Sequence, residues 1–380
     1  MRFRVIAPGL ATTVQDRGRI GYEHLGVMIN GALDTRAAAW GNRLVGNADN
    51  AAVLEMTLLA PTLELEDDGS GRSVRAALTG ADFAFTHNDE AWRSGTVREL
   101  RPGDRIAGGS TRTGVRGYLA VEGGIAVPSV LGSRATDLLA GIGGVEGRVL
   151  RVDDVLPIGE ATPRKADGGF VAAFDVPETL LDREIVRVLP GHRAAGSARK
   201  GLARLVDTWY RVDPRSDRVG LRLIGPKVNA AVRGDEVSEG MAIGAVEITA
   251  TGEPLLLLRS RGSIGGYPTL AVVISADLPA LAQRKPGDRL RFRLVDESEA
   301  LEAWRAQRTV TLRSPTWALV WMRVEPGTRI ELGDPLGELE VMGERRPLRA
   351  PIAGRLQRWL VREGEDAQEG WAICELLADD

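Results

Sequence analysis

The loop Gln15-Asp16-Arg17 sets an amide, an acid and a guanidinium side by side. Those groups could hold a small carboxylate or amide and move a proton, or form only a turn with a surface ion pair. Arg134-Ala-Thr-Asp137 supplies a second cation and acid, suited to anion contact or to capping a helix through Asp137. Ser216-Asp217-Arg218 reads as a substrate loop or as an Asx turn. Glu239, in Ser238-Glu-Gly240, and Arg261 add a further acid and cation, and Gly265-Gly266-Tyr267-Pro268 follows them. Paired glycines permit close backbone approach to a ligand, and they also make a tight turn.

Other chemistries lack their residues. Gly191-His-Arg-Ala-Ala-Gly196 has phosphate-loop spacing, but Ser197-Ala198 stands where Lys followed by Ser or Thr is required. Gly141-Ile-Gly-Gly-Val-Glu-Gly147 misses the dinucleotide fingerprint by one position. His24, His87 and His192 are far apart in sequence without metal-ligand spacing. Cys374 is the lone cysteine, in an apolar run, and reads as core filler. No Gly-x-Ser-x-Gly elbow supports a serine hydrolase triad.

The elements that must position these groups are short strands punctuated by glycine. Leu63–Glu66, Val74–Leu78, Arg116–Val121, Ile185–Leu189, Leu255–Leu258 and Arg289–Arg293 are the clearest. With 46 glycines and few long periodic stretches, barrels or sandwiches are expected rather than a wound α/β sheet. Three helices are predicted: one capped by Asp34 and ended by Gly46-Asn47, one over Lys200 to Thr208, and one over Ser298 to Ala306. Arg101-Pro-Gly-Asp-Arg-Ile106 echoes Lys285-Pro-Gly-Asp-Arg-Leu290, each a turn entering a strand.

The chain has 380 residues, 43% hydrophobic and 27% charged, enough for two or three domains. A net charge of −3 offers no basic field for nucleic acid or an anionic membrane. Lys165, Lys200, Lys227 and Lys285 are the only lysines among 49 basic residues. The N-terminus lacks a signal-peptide core, and no run approaches the ~18 apolar residues of a membrane span. A soluble cytoplasmic protein is expected.

The tail repeats itself. Val324, Gly327, Gly333, Leu336, Glu338 and Leu339 recur 37 residues on as Val361, Gly364, Gly370, Ile373, Glu375 and Leu376. Each unit reads as a strand, two glycine turns and a strand, and two units together bury what neither can alone. The pattern resembles the biotinyl/lipoyl hammerhead domain, whose attachment lysine lies on the hairpin between the halves. In Leu339-Glu-Val-Met-Gly-Glu-Arg-Arg-Pro347 the matching position is Gly343. The tail contains no lysine at all, so it cannot carry a lysine-tethered cofactor.

Before the tail come Thr12–Arg19, Gly21-Tyr-Glu-His-Leu-Gly26, Gly31-Ala-Leu-Asp34, Ala77-Leu-Thr-Gly-Ala81, Tyr118–Gly124, Gly132–Asp137, Ser216–Arg222, Ser238–Gly240, Gly265–Pro268 and Val273–Asp277. In that order they resemble the allophanate hydrolase subunit 2 family. It is also known as the C subunit of 5-oxoprolinase or the antagonist of the Kip kinase inhibitor, and it recurs in the carboxyltransferase region of urea carboxylase. The resemblance implies a mainly β fold with two cyclophilin-like β-barrel lobes, and a subunit 1 (Kip inhibitor-like) partner that shares the active site. It implies carboxyl transfer from carboxybiotin or ATP-dependent opening of 5-oxoproline, with ATP or carboxybiotin brought by a partner or a separate biotin carrier. Gln15, Asp16, Arg17, Asp137 and Glu239 are then catalytic candidates. Arg134, Asp217, Arg218, Arg261, Gly265, Gly266 and Tyr267 are candidates for binding the small-molecule substrate.

The sequence departs from the family in the second lobe. Gly244-Ala-Val-Glu247 stands for Gly-Ala-Ile-Gln, Ser238-Glu-Gly240 for Ser-Asp-Gly, and Ser260-Arg-Gly-Ser-Ile264 for Asp-Arg-Gln-Thr-Thr. These exchanges redistribute charge, which leaves open a non-catalytic protein that sequesters a subunit 1-like partner. The expected organisation is a first lobe over 1–160, a linker over 161–180, a second lobe over 181–298, a bridging helix over 299–308 and the tail domain over 309–380. Co-expressed with a biotin ligase, the chain should keep its unmodified intact mass; a biotin adduct would refute the reading of the tail.

Overall fold

A computed structural model describes residues 1–161, 170–174, 184–192, 198–229 and 238–379. The loop 193–197, which holds most of the phosphate-loop-like motif, and most of the expected linker lie outside the described residues. The chain divides into two compact units. One comprises Met1–Glu160 and Thr179–Ala300, the other Ala161–Glu178 and Leu301–Asp380. The division falls inside the helix Glu297–Arg308.

In the larger unit the first lobe is two sheets, of six and five strands. Alternation along Arg2–Ala7 and Thr62–Glu66 turns Phe3, Val5, Leu63 and Leu65 inward, where they meet Leu54, Met56 and Leu119 of the other sheet. The expected barrel closes only in the second lobe, where seven strands form a ring. Val186, Val188, Val246, Ile248 and Phe292 fill its interior. The two Pro-Gly-Asp turns adopt one geometry. Asp104 accepts from the Arg101 amide at 2.8 Å and Asp288 from the Lys285 amide at 3.0 Å, each carboxylate closing its own turn.

The helix Thr35–Val45 starts where Asp34 accepts from the Ala37 amide at 2.9 Å, and stops where Gly46 turns left-handed. Ala37, Ala38 and Val45 face Val53, Ala77, Tyr118 and Ala120 of the first lobe. Leu33, just before this helix, is buried in the apolar cluster of the second barrel.

Polar groups reinforce that join. Glu55 is buried, and its carboxylate accepts from the Tyr118 hydroxyl and the Leu33 amide, both at 2.8 Å. Arg218 of the second lobe pairs with the same carboxylate and donates to the Gly31 carbonyl at 2.6 Å. Gln283 of the second lobe accepts from the Val115 and Arg116 amides at 3.0 and 2.9 Å, and donates to Asp34 at 2.8 Å. Arg259 donates to the Asn30 carbonyl at 2.9 Å, and Ser260 to the Asn30 side chain at 2.7 Å.

The smaller unit holds two five-stranded sheets. Each draws strands from both halves of the sequence repeat. Thus Ala318–Met322 and Pro335–Val341 share a sheet with Glu365–Ala367, while Gly354–Trp359 and Ala372–Ala378 share one with Arg329–Ile330. The expected linker requires correction: Phe170–Val171 and Ala173–Phe174, strands in the apolar run Phe170–Phe174, extend one sheet each. Gly343 lies at the tip of the hairpin between Pro335–Val341 and Glu344–Arg349. Met342 and Gly343 both have positive φ, 52° and 81°, the demand of a two-residue hairpin turn.

Removing one partner from a buried ion pair leaves the other charge uncompensated. Glu55→Ala should therefore lower stability by roughly 3–5 kcal/mol, read as a fall in the urea midpoint. A loss under about 1 kcal/mol, the range of exposed pairs, would contradict the burial argument.

Candidate functional site

The first-lobe candidates gather on one loop system. Asp16 accepts from the Gly18 amide at 2.7 Å, the Ser133 hydroxyl at 2.6 Å and the Arg134 amide at 2.6 Å. Both oxygens therefore clamp the Ser133–Arg134 loop. Arg134 donates from Nε to the Val127 carbonyl at 2.8 Å. Arg17 reaches Asp49 at 3.5 Å and is the one partly exposed cation of its tripeptide.

Beneath this clamp lies a buried polar cluster. Gln15 donates to Thr13 Oγ1 at 3.0 Å and to the Thr136 carbonyl at 3.3 Å. Arg19 donates to the Ala135 carbonyl at 2.5 Å, and Asp137 accepts from the Leu139 and Ala140 amides at 3.0 Å. That turn holds no helix, so the capping role for Asp137 is not the one it takes. Gln15 Oε1, Arg19 Nε and Nη1, and Asp137 Oδ2 are buried without a hydrogen-bond partner among the described residues. Burial pulls the Arg19 guanidinium below its ordinary pKa, and Asp137 and Asp16 oppose the shift. Arg19 went unremarked in the sequence because it trails a motif whose Arg17 seemed better placed.

A pocket of about 520 Å³ opens directly above. Val127, Pro128, Val130, Val145 and Pro157 wall it, and the run Gly141–Gly147 forms its glycine side. Gly143 has φ +69°, and a Cβ there would collide with the Arg19 guanidinium and the Ala135 carbonyl. Gly143 therefore packs against the Arg19 guanidinium, and the polar cluster borders the glycine side of the pocket.

The second-lobe candidates divide. Asp217 accepts from the Val219 and Gly220 amides at 2.8 and 3.2 Å, the Asx turn of the two alternatives. Arg218 ties the lobes together through the Glu55 carboxylate and the Gly31 carbonyl. Arg261 is buried and donates to the Met241 carbonyl at 2.7 Å; burial lowers its pKa, with Glu23 opposing. Glu239 pairs in register with Gly265 and meets His192 at 2.9 Å, as His87 meets Asp104 at 2.8 Å, so two of the scattered histidines have acidic partners. Gly266 is half-buried and Tyr267 is exposed beyond it. Glu247, 3% exposed, was noticed in the sequence only as a departure. Burial, reinforced by Glu239, raises its carboxyl to about 7.

The comparisons place this geometry in a class. The carboxyltransferase domain family, subdomain A and B, matches residues 25–294. The chain belongs to that family. Against the C subunit of 5-oxoprolinase from Escherichia coli it is 37% identical, covering 80% of this chain and 95% of that protein. Against urea amidolyase of Lachancea kluyveri it is 33% identical, covering 76% of this chain and 17% of that protein. Among solved structures, TTHA0988 superposes with a TM-score of 0.67 at 35% identity, over 77% of this chain and 55% of that one. The Kluyveromyces lactis urea carboxylase does so with 0.69 at 30%, over 79% and 28%. The chain thus spans about half of one solved relative and under a third of the other. Among the described residues, no helix is long and apolar enough to cross a membrane.

The raised Glu247 pKa predicts a pH dependence. A glutamic acid lifted from 4.5 to about 7 in the fold contributes stability that is complete below 4.5 and lost as pH rises through about 7. By linkage that loss is about 3 kcal/mol. Glu247→Gln should gain on the wild type by an amount of that order between pH 4.5 and 8, read from urea midpoints. A difference that stays constant over that window would show that Glu247 titrates normally.

Proposed function

We propose that this chain is one subunit of a heteromeric carboxyltransferase-like or 5-oxoprolinase-like enzyme acting on a small amide or carboxylate. The observation that carries the reading is the first-lobe half-site, with Gln15, Arg19 and Asp137 offering unpaired polar atoms beneath the glycine side of an open pocket. An amide oxygen, a guanidinium and a carboxylate together complement a planar group that has both N–H donors and a carbonyl acceptor. No nucleophile or nucleotide motif accompanies them, so a subunit 1 (Kip inhibitor-like) partner supplies the rest of the site, with ATP or carboxybiotin. We read the smaller unit as a biotinyl/lipoyl-like domain without its lysine, serving as a structural or docking element; the mixing of strands from both repeats in each sheet supports this.

A second reading is favoured by one observation. Asp16, Asp217 and Arg218, all candidates for chemistry, are committed to bonds within the fold. On that reading the chain binds a subunit 1-like protein and regulates it without catalysis.

Reconstitution separates the two. The purified chain alone should turn over neither urea with bicarbonate and ATP nor 5-oxoproline with ATP, whereas the complex with its co-purifying subunit 1-like chain should turn over one of them. Gly143→Val in that complex should cost on the order of 100-fold in kcat, because the added Cβ branch displaces the backbone over Arg19. Turnover by the chain alone contradicts the shared site, and a stable but silent complex supports the regulatory reading.

A further inference from the structure

The outer wall of the second barrel carries a cluster of positive charge that the proposal above does not use. On the strand Trp209–Val212, Tyr210 and Val212 fill the barrel core, so Trp209 and Arg211 point outward. On the paired strand Arg289–Leu294, Leu290 and Phe292 fill the core, and Arg289 and Arg291 point outward. The antiparallel register sets Trp209 opposite Arg291 and Arg211 opposite Arg289. Two arginines therefore face each other directly, an arrangement that costs stability unless something neutralises it.

The indole gathers the charges to one place. The Arg289 guanidinium lies 4.6 Å from the centroid of the Trp209 ring, and that of Arg291 lies 5.4 Å from it. Such contacts hold long side chains in place and leave their charge unneutralised. Trp209 is 37% exposed, and Arg211 and Arg289 are exposed beside it.

No acid answers these cations. Arg211, Arg289 and Arg291 make no ion pair or side-chain hydrogen bond among the described residues, and Arg291 Nε is buried without an acceptor. Their further cross-strand neighbours, Ile185 beside Arg291 and Ile224 beside Arg211, are uncharged. Other arginines of the barrel differ. Arg187 pairs with Asp277 at 2.6 Å, Arg215 with Asp213 at 2.7 Å, and Arg293 with Glu299. Asp288, next to Arg289, gives its carboxylate to the Lys285 amide. Glu184 and Asp207, just before the strands that carry Ile185 and Trp209, form no ion pair with the three arginines.

Three guanidinia held around one indole are short of negative charge and of acceptor oxygens. We propose that this patch binds a diphosphate group, its oxygens bridging Arg211, Arg289 and Arg291. A diphosphate suits the place better than a carboxylate, because it concentrates several charges in one compact group. Its oxygens also meet guanidinium forks bidentately from more than one side. Free pyrophosphate and a nucleoside diphosphate present the same chemistry. The inference stands on this patch alone and does not depend on the partner or reaction proposed above.

Sodium pyrophosphate titrated into the full chain by calorimetry at low ionic strength tests it, with adenosine diphosphate alongside and malonate as a dicarboxylate control. Saturable binding of pyrophosphate, at least tenfold tighter than malonate, is the expected result. Adenosine diphosphate binding more tightly than pyrophosphate would assign the group to a nucleotide, and weaker binding would assign it to the free anion. Arg211→Gln and Arg289→Gln should each lose at least tenfold in affinity, and Trp209→Leu several-fold. Arg98→Gln, which removes a first-lobe arginine paired with Glu90, should lose nothing. Arg211→Gln keeps both arginine–indole contacts and relieves the facing charges, so its urea midpoint should equal or exceed that of the wild type. A lowered midpoint with pyrophosphate affinity intact would show that Arg211 is structural and overturn its place in the site. No saturable binding, equal binding of malonate, or tighter binding of a hexaglutamate peptide would overturn the assignment as a whole.

Discussion

The carboxylate of Glu55 lies in the interior between two lobes, and the fold is arranged so that this charge is never alone. A buried carboxylate is tolerable only when paired and fully hydrogen-bonded. Here the strand that carries it sets Tyr118 beside it, the turn before the first helix aims the Leu33 amide at it, and the other lobe contributes Arg218. Desolvation raises the Tyr118 pKa strongly, with Glu55 and Asp34 adding to it, so its hydroxyl keeps the proton it donates. Because Leu33 buries its side chain in the second barrel while its amide serves Glu55, the apolar and polar parts of the join are made by one residue. The Asp16 clamp and the glycine-sided pocket hang on the same framework, through Asn30, Arg17 and their bonds to Arg259.

Much of this was legible in the sequence, for local reasons. Asp34 and Gly46 announce a helix because caps act within a few residues. The tail repeat was visible because each half spends its glycines at the same turns, and Gly327, Gly333, Gly364 and Gly370 all take positive φ. The tertiary partners were not legible. Glu55 lies in a strand with no motif around it, and its importance comes from Arg218, 163 residues away. Arg218 was a substrate candidate through the family resemblance, in a stretch that read either as a substrate loop or as an Asx turn; only the packed lobes show its bonds to Glu55 and Gly31. Phe170–Phe174 was hidden between polar stretches that read as linker, since a two-residue strand has no periodicity to detect.

The two polar sites follow from one rule applied with opposite outcomes. In the first lobe, glycine lets the backbone pack closely against Arg19, so the polar cluster of Gln15, Arg19 and Asp137 borders a pocket. In the second, a carboxyl stands at Glu247 on the wall of a barrel, where burial first, and then the neighbouring Glu239, raises its proton affinity. Both arrangements retain polar groups that cost stability, which is expected where ligand or partner completes the structure.

The Glu55–Arg218 contact couples the lobes into one cooperative body. A double-mutant cycle with Glu55→Gln and Arg218→Met, followed by urea unfolding, measures it directly. A coupling of at least ~2 kcal/mol is expected, in the range of contacting buried groups. The fluorescence of Trp40 in the first lobe and of Trp209 in the second should change in one shared transition. Additivity within about 0.5 kcal/mol, or two separate transitions in the wild type, would contradict it.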